Sequence, residues 1–130
     1  MFRKERVSEV LLGFLAQAVR ELEDARLMLV TITDVRVSSD LKYAQVFWSM
    51  PIWNTVKNGS QEVRVLSFPN PVQQAQLNKI FDEYKNNLKS QIAKELNLRY
   101  TPELYFEYDF SEEQGTKIDR TIDNILNNQR

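Results

Sequence analysis

The order of hydrophobic periods along the chain predicts a two-layer α+β domain, in which a three-stranded sheet is covered by helices on one face. Apolar residues recur at steps of three and four over residues 7–22 and again over 77–96, which is the period of a helix that buries one side. Between and after these stretches, β-branched and aromatic residues alternate with polar ones at 27–37, 43–50 and 104–108. The resulting order is helix, strand, strand, helix, helix, strand, helix.

The first helix is expected over residues 4–23, with Val7, Val10, Leu11, Phe14, Ala18 and Leu22 on its inner face and Arg6, Glu9, Gln17, Arg20 and Glu21 outside. The first strand changes phase: Val30 and Ile32 fall on even positions, Val35 and Val37 on odd ones. A bulge near Thr33-Asp34 is needed to bury both pairs. Ser38-Ser39-Asp40 supplies turn chemistry, since short polar side chains bond nearby amides. Ala44, Val46, Trp48 and Met50 then alternate with Tyr43, Gln45, Phe47 and Ser49 in a second strand, expected to pair antiparallel with the first.

Residues 51–71 lack a helical period and hold three of the four prolines. This connector is too long for an ordinary turn. Asn58-Gly59, which accepts positive φ in a tight turn, and the alternation of Glu62-Val63-Arg64-Val65 are consistent with an accessory hairpin; a mobile loop is the other reading. Asn70-Pro71 is a helix start, with Asn as cap and Pro shaped for the first turn. Leu77, Ile80, Phe81, Tyr84, Leu88, Ile92 and Leu96 continue one stripe. Asn86-Asn87 interrupts the good helix formers, so a kink or break into two helices is expected there. Pro102 precedes the third strand, Leu104, Phe106 and Tyr108 inward, and Ser111-Glu112-Glu113-Gln114 has capping-box spacing before a closing helix bearing Ile118, Ile122 and Leu126.

Composition narrows the function. The chain has 130 residues, 42% of them hydrophobic, enough for one packed core. It contains no cysteine and no histidine. Disulfides, Cys/His zinc sites, thiol nucleophiles and imidazole-based triads are therefore excluded. Gly13, Gly59 and Gly115 are isolated and form no phosphate-cradling loop. The doublets Asp82-Glu83 and Glu112-Glu113 are poor acid–base or magnesium pairs, because adjacent helical residues point in different directions. Neither catalysis nor a metal, a cofactor or a small-molecule substrate is expected. No apolar run reaches the length of a membrane span, and M-F-R-K-E-R lacks the apolar core of a signal peptide, so a cytoplasmic protein is expected. Without a heptad seam or a large apolar excess, a monomer is expected.

The net charge is −1, so only a local cationic patch is available for nucleic acid. The charge is uneven: residues 103–130 hold seven acids and three bases, which leaves the body before them slightly basic.

R-V-S-E-V-L near the start, V-T-I-T-D-V-R-V-S-S-D-L-K-Y-A-Q-V-F-W-S at 30–49, L-N-L-R-Y-T-P-E-L-Y-F-E-Y-D at 96–109 and E-E-Q-G-T-K-I-D-R-T-I towards the end resemble the ribosome-binding factor A family. The blocks cover more than half of the chain in the right order, and the S-x-D-L turn with its A-x-V continuation is the most specific. The resemblance implies a KH-like domain of the second topology, residues 1–110, with residues 111–130 as a C-terminal helical extension. It also implies binding to the small ribosomal subunit through its rRNA, and assistance in late maturation of that subunit. Where the family places an Ala-x-Gly kink between its core helices, this chain has Tyr84-Lys85-Asn86.

Two cationic groups are candidates for RNA contact. Arg3, Lys4 and Arg6 open the first helix; Lys85, Lys89 and Lys94 surround the expected kink, with Asn86, Asn87 and Ser90 able to bond phosphate or ribose. Trp48 lies in the apolar phase of its strand and belongs in the core, whereas Trp53 in the connector is open to base stacking or packing. The alternative to an RNA-binding assembly factor is a protein–protein interaction module that keeps the fold without RNA contact, suggested by the near-neutral charge and the altered kink.

Overall fold

A computed structural model describes residues 4–111. Helix α1 spans Lys4–Glu21 and is followed by a short 3-10 turn, Ala25–Leu27. The strands are β1 (Thr31–Val37), β2 (Tyr43–Ser49), β3 (Ile52–Asn58), β4 (Gln61–Ser67) and β5 (Glu103–Tyr108), and helix α2 (Pro71–Glu95) lies between β4 and β5. Two helices cover one face of a three-stranded sheet ordered β1-β2-β5, so the α+β class read from the periods holds. The expected closing helix falls on residues 112–130, outside the described residues.

The β1–β2 pairing is antiparallel and β2–β5 parallel. Register in β1 slips between Ile32 and Asp34, which is the bulge that the change of phase demands. Ile32 faces Trp48 and Val35 faces Val46, so both halves of β1 deliver apolar side chains to one side. The hydroxyl of the extra residue, Thr33, donates to the carboxylate of Asp109 beyond β5.

Beneath the sheet lie Leu11 and Leu15 from α1, Phe81, Leu88 and Ile92 from α2, and Ala44, Val46, Trp48 and Leu104 from the strands, all without exposed surface. Rings set the centre: Phe81 stacks on Phe106 at 4.5 Å, and Trp48 meets Tyr108 edge-on at 5.2 Å. The buried indole N–H of Trp48 donates to Asn78 Oδ1 at 2.9 Å, so the ring carries no polar penalty. Trp48 is a core residue and not a stacking platform.

The Ser38-to-Tyr43 turn is held by side chains, with Ser38 Oγ donating to Asp40 Oδ1 at 2.7 Å and the Lys42 amide donating to the same oxygen at 3.1 Å. These bonds hold the Asp40 carboxyl below its usual range and keep Leu41 left-handed at φ 63. Asn70 caps α2 in a reciprocal box: the Gln73 amide donates to Asn70 Oδ1 at 2.8 Å, and the Asn70 amide donates to Gln73 Oε1 at 2.9 Å.

Two expectations are corrected. Helix α2 is not broken at Asn86-Asn87 but runs uninterrupted through both. The buried stripe of Leu77, Phe81, Leu88 and Ile92 passes straight across, and both asparagines face outward. Asn87 Oδ1 accepts from Gln91 Nε2 at 2.7 Å, an i,i+4 bond along the helix surface that does not compete for its backbone. In the connector, the accessory hairpin forms as β3–β4, but its turn lies one residue later than Asn58-Gly59 suggests. Asn58 pairs with Gln61, so Gly59 and Ser60 are the central residues, with positive φ (70) confined to Gly59.

The 3-10 turn is tied to α2. Tyr84 Oη donates to Asp24 Oδ2 at 2.5 Å, Arg26 reaches the same carboxylate at 2.7 Å, and Arg26 extends to Glu83 at 3.2 Å. The Arg26 and Tyr84 donors hold the Asp24 carboxyl far below its usual range, and the carboxylate raises the Tyr84 hydroxyl. A carboxyl depressed in the folded state stabilises fully above its unfolded value, about 4, and the gain fades as pH falls toward the folded value. Asp24→Asn keeps the cap and removes the charge. It should lower the melting temperature at about pH 7 and by less at about pH 2.5. A gap of equal size at both would mean that the charge is not what stabilises this tie.

Candidate nucleic-acid interface

Two cationic residues of α2, Lys85 and Lys89, meet the edge strand β5. Along β5, Leu104 and Tyr108 are buried, with Phe106 partly so, while Tyr105 and Glu107 are exposed and Glu103 is half-buried. Glu103 and Tyr105 stand where α2 passes, whereas Glu107 accepts from Gln45 Nε2 of β2 at 2.8 Å. Lys85 Nζ lies 4.8 Å from the centre of the Tyr105 ring, and the Lys89 ammonium donates to the carboxylate of Glu103. Lys89, with support from Lys85, holds the Glu103 carboxyl below its usual range against the opposing effect of burial.

Asn86, Lys89 and Ser90 line one open depression of about 380 Å³ with Ala93 and Thr101. Its walls offer an amide, an ammonium and two hydroxyls, a donor set suited to a phosphate or a ribose edge. Glu103 is the competing acceptor. The pair is partly exposed, 33% for the Lys89 side chain and 45% for Glu103, and ion pairs of this kind contribute only about 0–1 kcal/mol. An incoming phosphate can therefore take Lys89 at small cost.

The sequence-derived residues do not all share this place. Lys94 and Asn87 are on α2, but at about 100° per residue they point away from β5, leaving Lys94 exposed on the far side. Lys4 and Arg6 are exposed on the first turn of α1, a separate cationic group, and Arg3 lies outside the described residues. Because α2 is continuous through Asn86 and Asn87, no bend frees backbone amides for an anion. Binding at this edge rests on side chains.

Three participants escaped the sequence reading: Thr101, Glu103 and Tyr105. The outward phase of Glu103 and Tyr105 in β5 was visible, but their meeting with α2 needs the parallel β2–β5 register, and Thr101 lies just before the strand, where no local pattern marks it. Among the described residues, no group of three or more acids is placed to hold a metal, and no helix is long and apolar enough to cross a membrane.

Comparison with known proteins agrees with the motif blocks. The family model described as ribosome-binding factor A matches residues 3–122. A protein named ribosome-binding factor A from Pseudomonas fluorescens is 34% identical over 125 residues, covering 95% of this chain and 83% of its own. Among solved structures, the crystal structure of ribosome-binding factor A from Thermus thermophilus superposes with a TM-score of 0.62 at 21% identity, over 82% of this chain and 97% of that one. A homology model of the Thermus thermophilus factor, fitted into an electron cryo-microscopy map of a 30S complex, matches with a TM-score of 0.53 at 20% identity, over 79% of this chain and 91% of its own. The match along nearly the whole length, in sequence as well as in fold, places the chain in the ribosome-binding factor A family.

Proposed function

We propose that this protein is a non-enzymatic RNA-binding assembly factor that docks on the immature small ribosomal subunit through its rRNA and assists late maturation, including rRNA processing. The observation that carries the reading is the α2–β5 edge, where Lys89, Asn86 and Ser90 line one depression with phosphate-binding groups and Lys85 stands one turn away over the Tyr105 ring. The relative fitted into a 30S complex supports the choice of partner. In this reading residues 1–110 form a KH-like domain of the second topology and residues 111–130 a helical extension. The protein acts as a cytoplasmic monomer and needs no cofactor.

Cosedimentation with purified small subunits tests it. The protein should pellet with subunits at low salt and be released at high salt, since each phosphate contact releases counterions. Absence from the pellet at low salt would overturn the reading. The second reading, a protein–protein module, draws on the near-neutral charge and on the ion pair that already engages Lys89. Ribonuclease treatment of a pull-down separates the two: partners held through RNA are lost, and partners held by protein contact remain.

A further inference from the structure

The β3–β4 hairpin is a second sheet, separate from the β1-β2-β5 sheet, and every residue in it from position 53 to 66 is exposed. A two-stranded ribbon with no covered face is marginal in water, so this one is built to meet a partner. Cross-strand register sorts its side chains. Trp53 pairs with Leu66, Thr55 with Arg64 and Lys57 with Glu62 on one face; Val56 and Val63 pair on the other.

Trp53 is the hairpin's only aromatic residue and is 53% exposed. The Arg64 guanidinium sits 5.1 Å from the centre of its ring, a diagonal cross-strand contact that fixes the indole and places positive charge beside it. Lys57 follows on the same face, giving two cations against one carboxylate, Glu62, beside the turn. Among the described residues neither cation is engaged in an ion pair. An exposed indole followed toward the turn by two cations free of ion pairs matches a ligand that carries stacked rings and negative charge together.

We propose that the hairpin is an RNA-contacting finger, with Trp53 stacking on an unpaired base of single-stranded RNA and Arg64 and Lys57 neutralising the flanking phosphates. The inference deepens the ribosomal reading and rests on it for the source of the RNA. The valine face is suited instead to a protein surface, which is the alternative that the test must exclude.

The chain has a built-in reporter. Of its two tryptophans, Trp48 has no exposed surface, so only Trp53 can respond directly to a ligand in solution. The full-length protein is titrated at low salt with a short labelled oligouridylate, following both tryptophan emission and the anisotropy of the label. Emission should fall on stacking. Trp53→Phe should abolish that change and keep the affinity; Trp53→Ala and Arg64→Glu should each weaken binding about tenfold. Unchanged emission, or unchanged affinity in both weakening variants, overturns the finger. A response to RNA-free ribosomal proteins with none to oligouridylate also overturns it, in favour of protein docking. Cosedimentation run in parallel keeps the two readings apart. Loss of subunit binding by the parent chain while oligouridylate still quenches Trp53 refutes only the small-subunit reading, and retained subunit binding with a silent Trp53 refutes only the finger.

Discussion

Val46→Asp should abolish the cooperative unfolding transition. Val46 lies at the middle of the central strand with no exposed surface, paired with Val35 on one side and Phe106 on the other. No cation lies among the residues of the buried core. An aspartate there must either ionise without a partner or take up a proton and remain an unsatisfied polar group. Either route costs several kcal/mol on top of the lost packing. Against a total stability of roughly 5–15 kcal/mol, that is enough to unfold much of the population. Val46→Ala, which only leaves a cavity, should keep a cooperative transition at a lower melting temperature. Thermal melts by circular dichroism distinguish the two. If the aspartate variant melted within a degree or two of the parent, the inward assignment of Ala44, Val46 and Trp48 would be wrong.

The parts of the fold that were legible in the sequence are those where burial imposes a period. The phase change between Ile32 and Val35 required a bulge, because a strand with one buried face has no other way to hide both pairs. Asn70-Pro71 marked a helix start because its physics is local: a cap acceptor, then a residue with no amide to satisfy. Local propensity misled where packing outweighed it. Asn86 and Asn87 are poor helix formers, yet Leu88 and Ile92 must reach the same core as Leu77 and Phe81, and that burial carries the helix past them. The Asn58-Gly59 pair misled in a smaller way, since the cross-strand pairing of Asn58 with Gln61 moves the turn to Gly59-Ser60. The candidate site was half visible. Lys85 and Lys89 share a face by spacing alone, but their partners Tyr105 and Glu103 arrive on β5, where only the sheet's assembly places them.

Replacing Lys85 and Lys89 together with Gln should nearly abolish binding to the small subunit while leaving the fold intact. Gln preserves the apolar stems and the α2 stripe and removes only the two charges. Glu is the poorer choice, because a carboxylate at position 89 would face Glu103 and add repulsion inside the protein. The stability change should be small: one exposed ion pair and one exposed cation–ring contact each contribute about 1 kcal/mol or less. Binding loses more. A hydrogen bond to a charged group contributes about 1.5–3 kcal/mol, so two lost phosphate contacts, about 3–6 kcal/mol together, correspond to at least about a hundredfold in affinity at low salt. The slope of log affinity against log salt should also fall by about 2, close to one per contact. Lys94→Gln is the control for position, since it removes one charge from the side of α2 turned away from β5. If the site is the α2–β5 edge, that variant binds within a few-fold of the parent and the double variant does not. An equal loss of binding free energy per charge removed in both would mean that the subunit responds to overall charge and not to this edge. Parent-like affinity in a folded double variant would move the RNA contact to the other cationic group, Lys4 and Arg6 on α1, where the same substitution and the same salt titration apply.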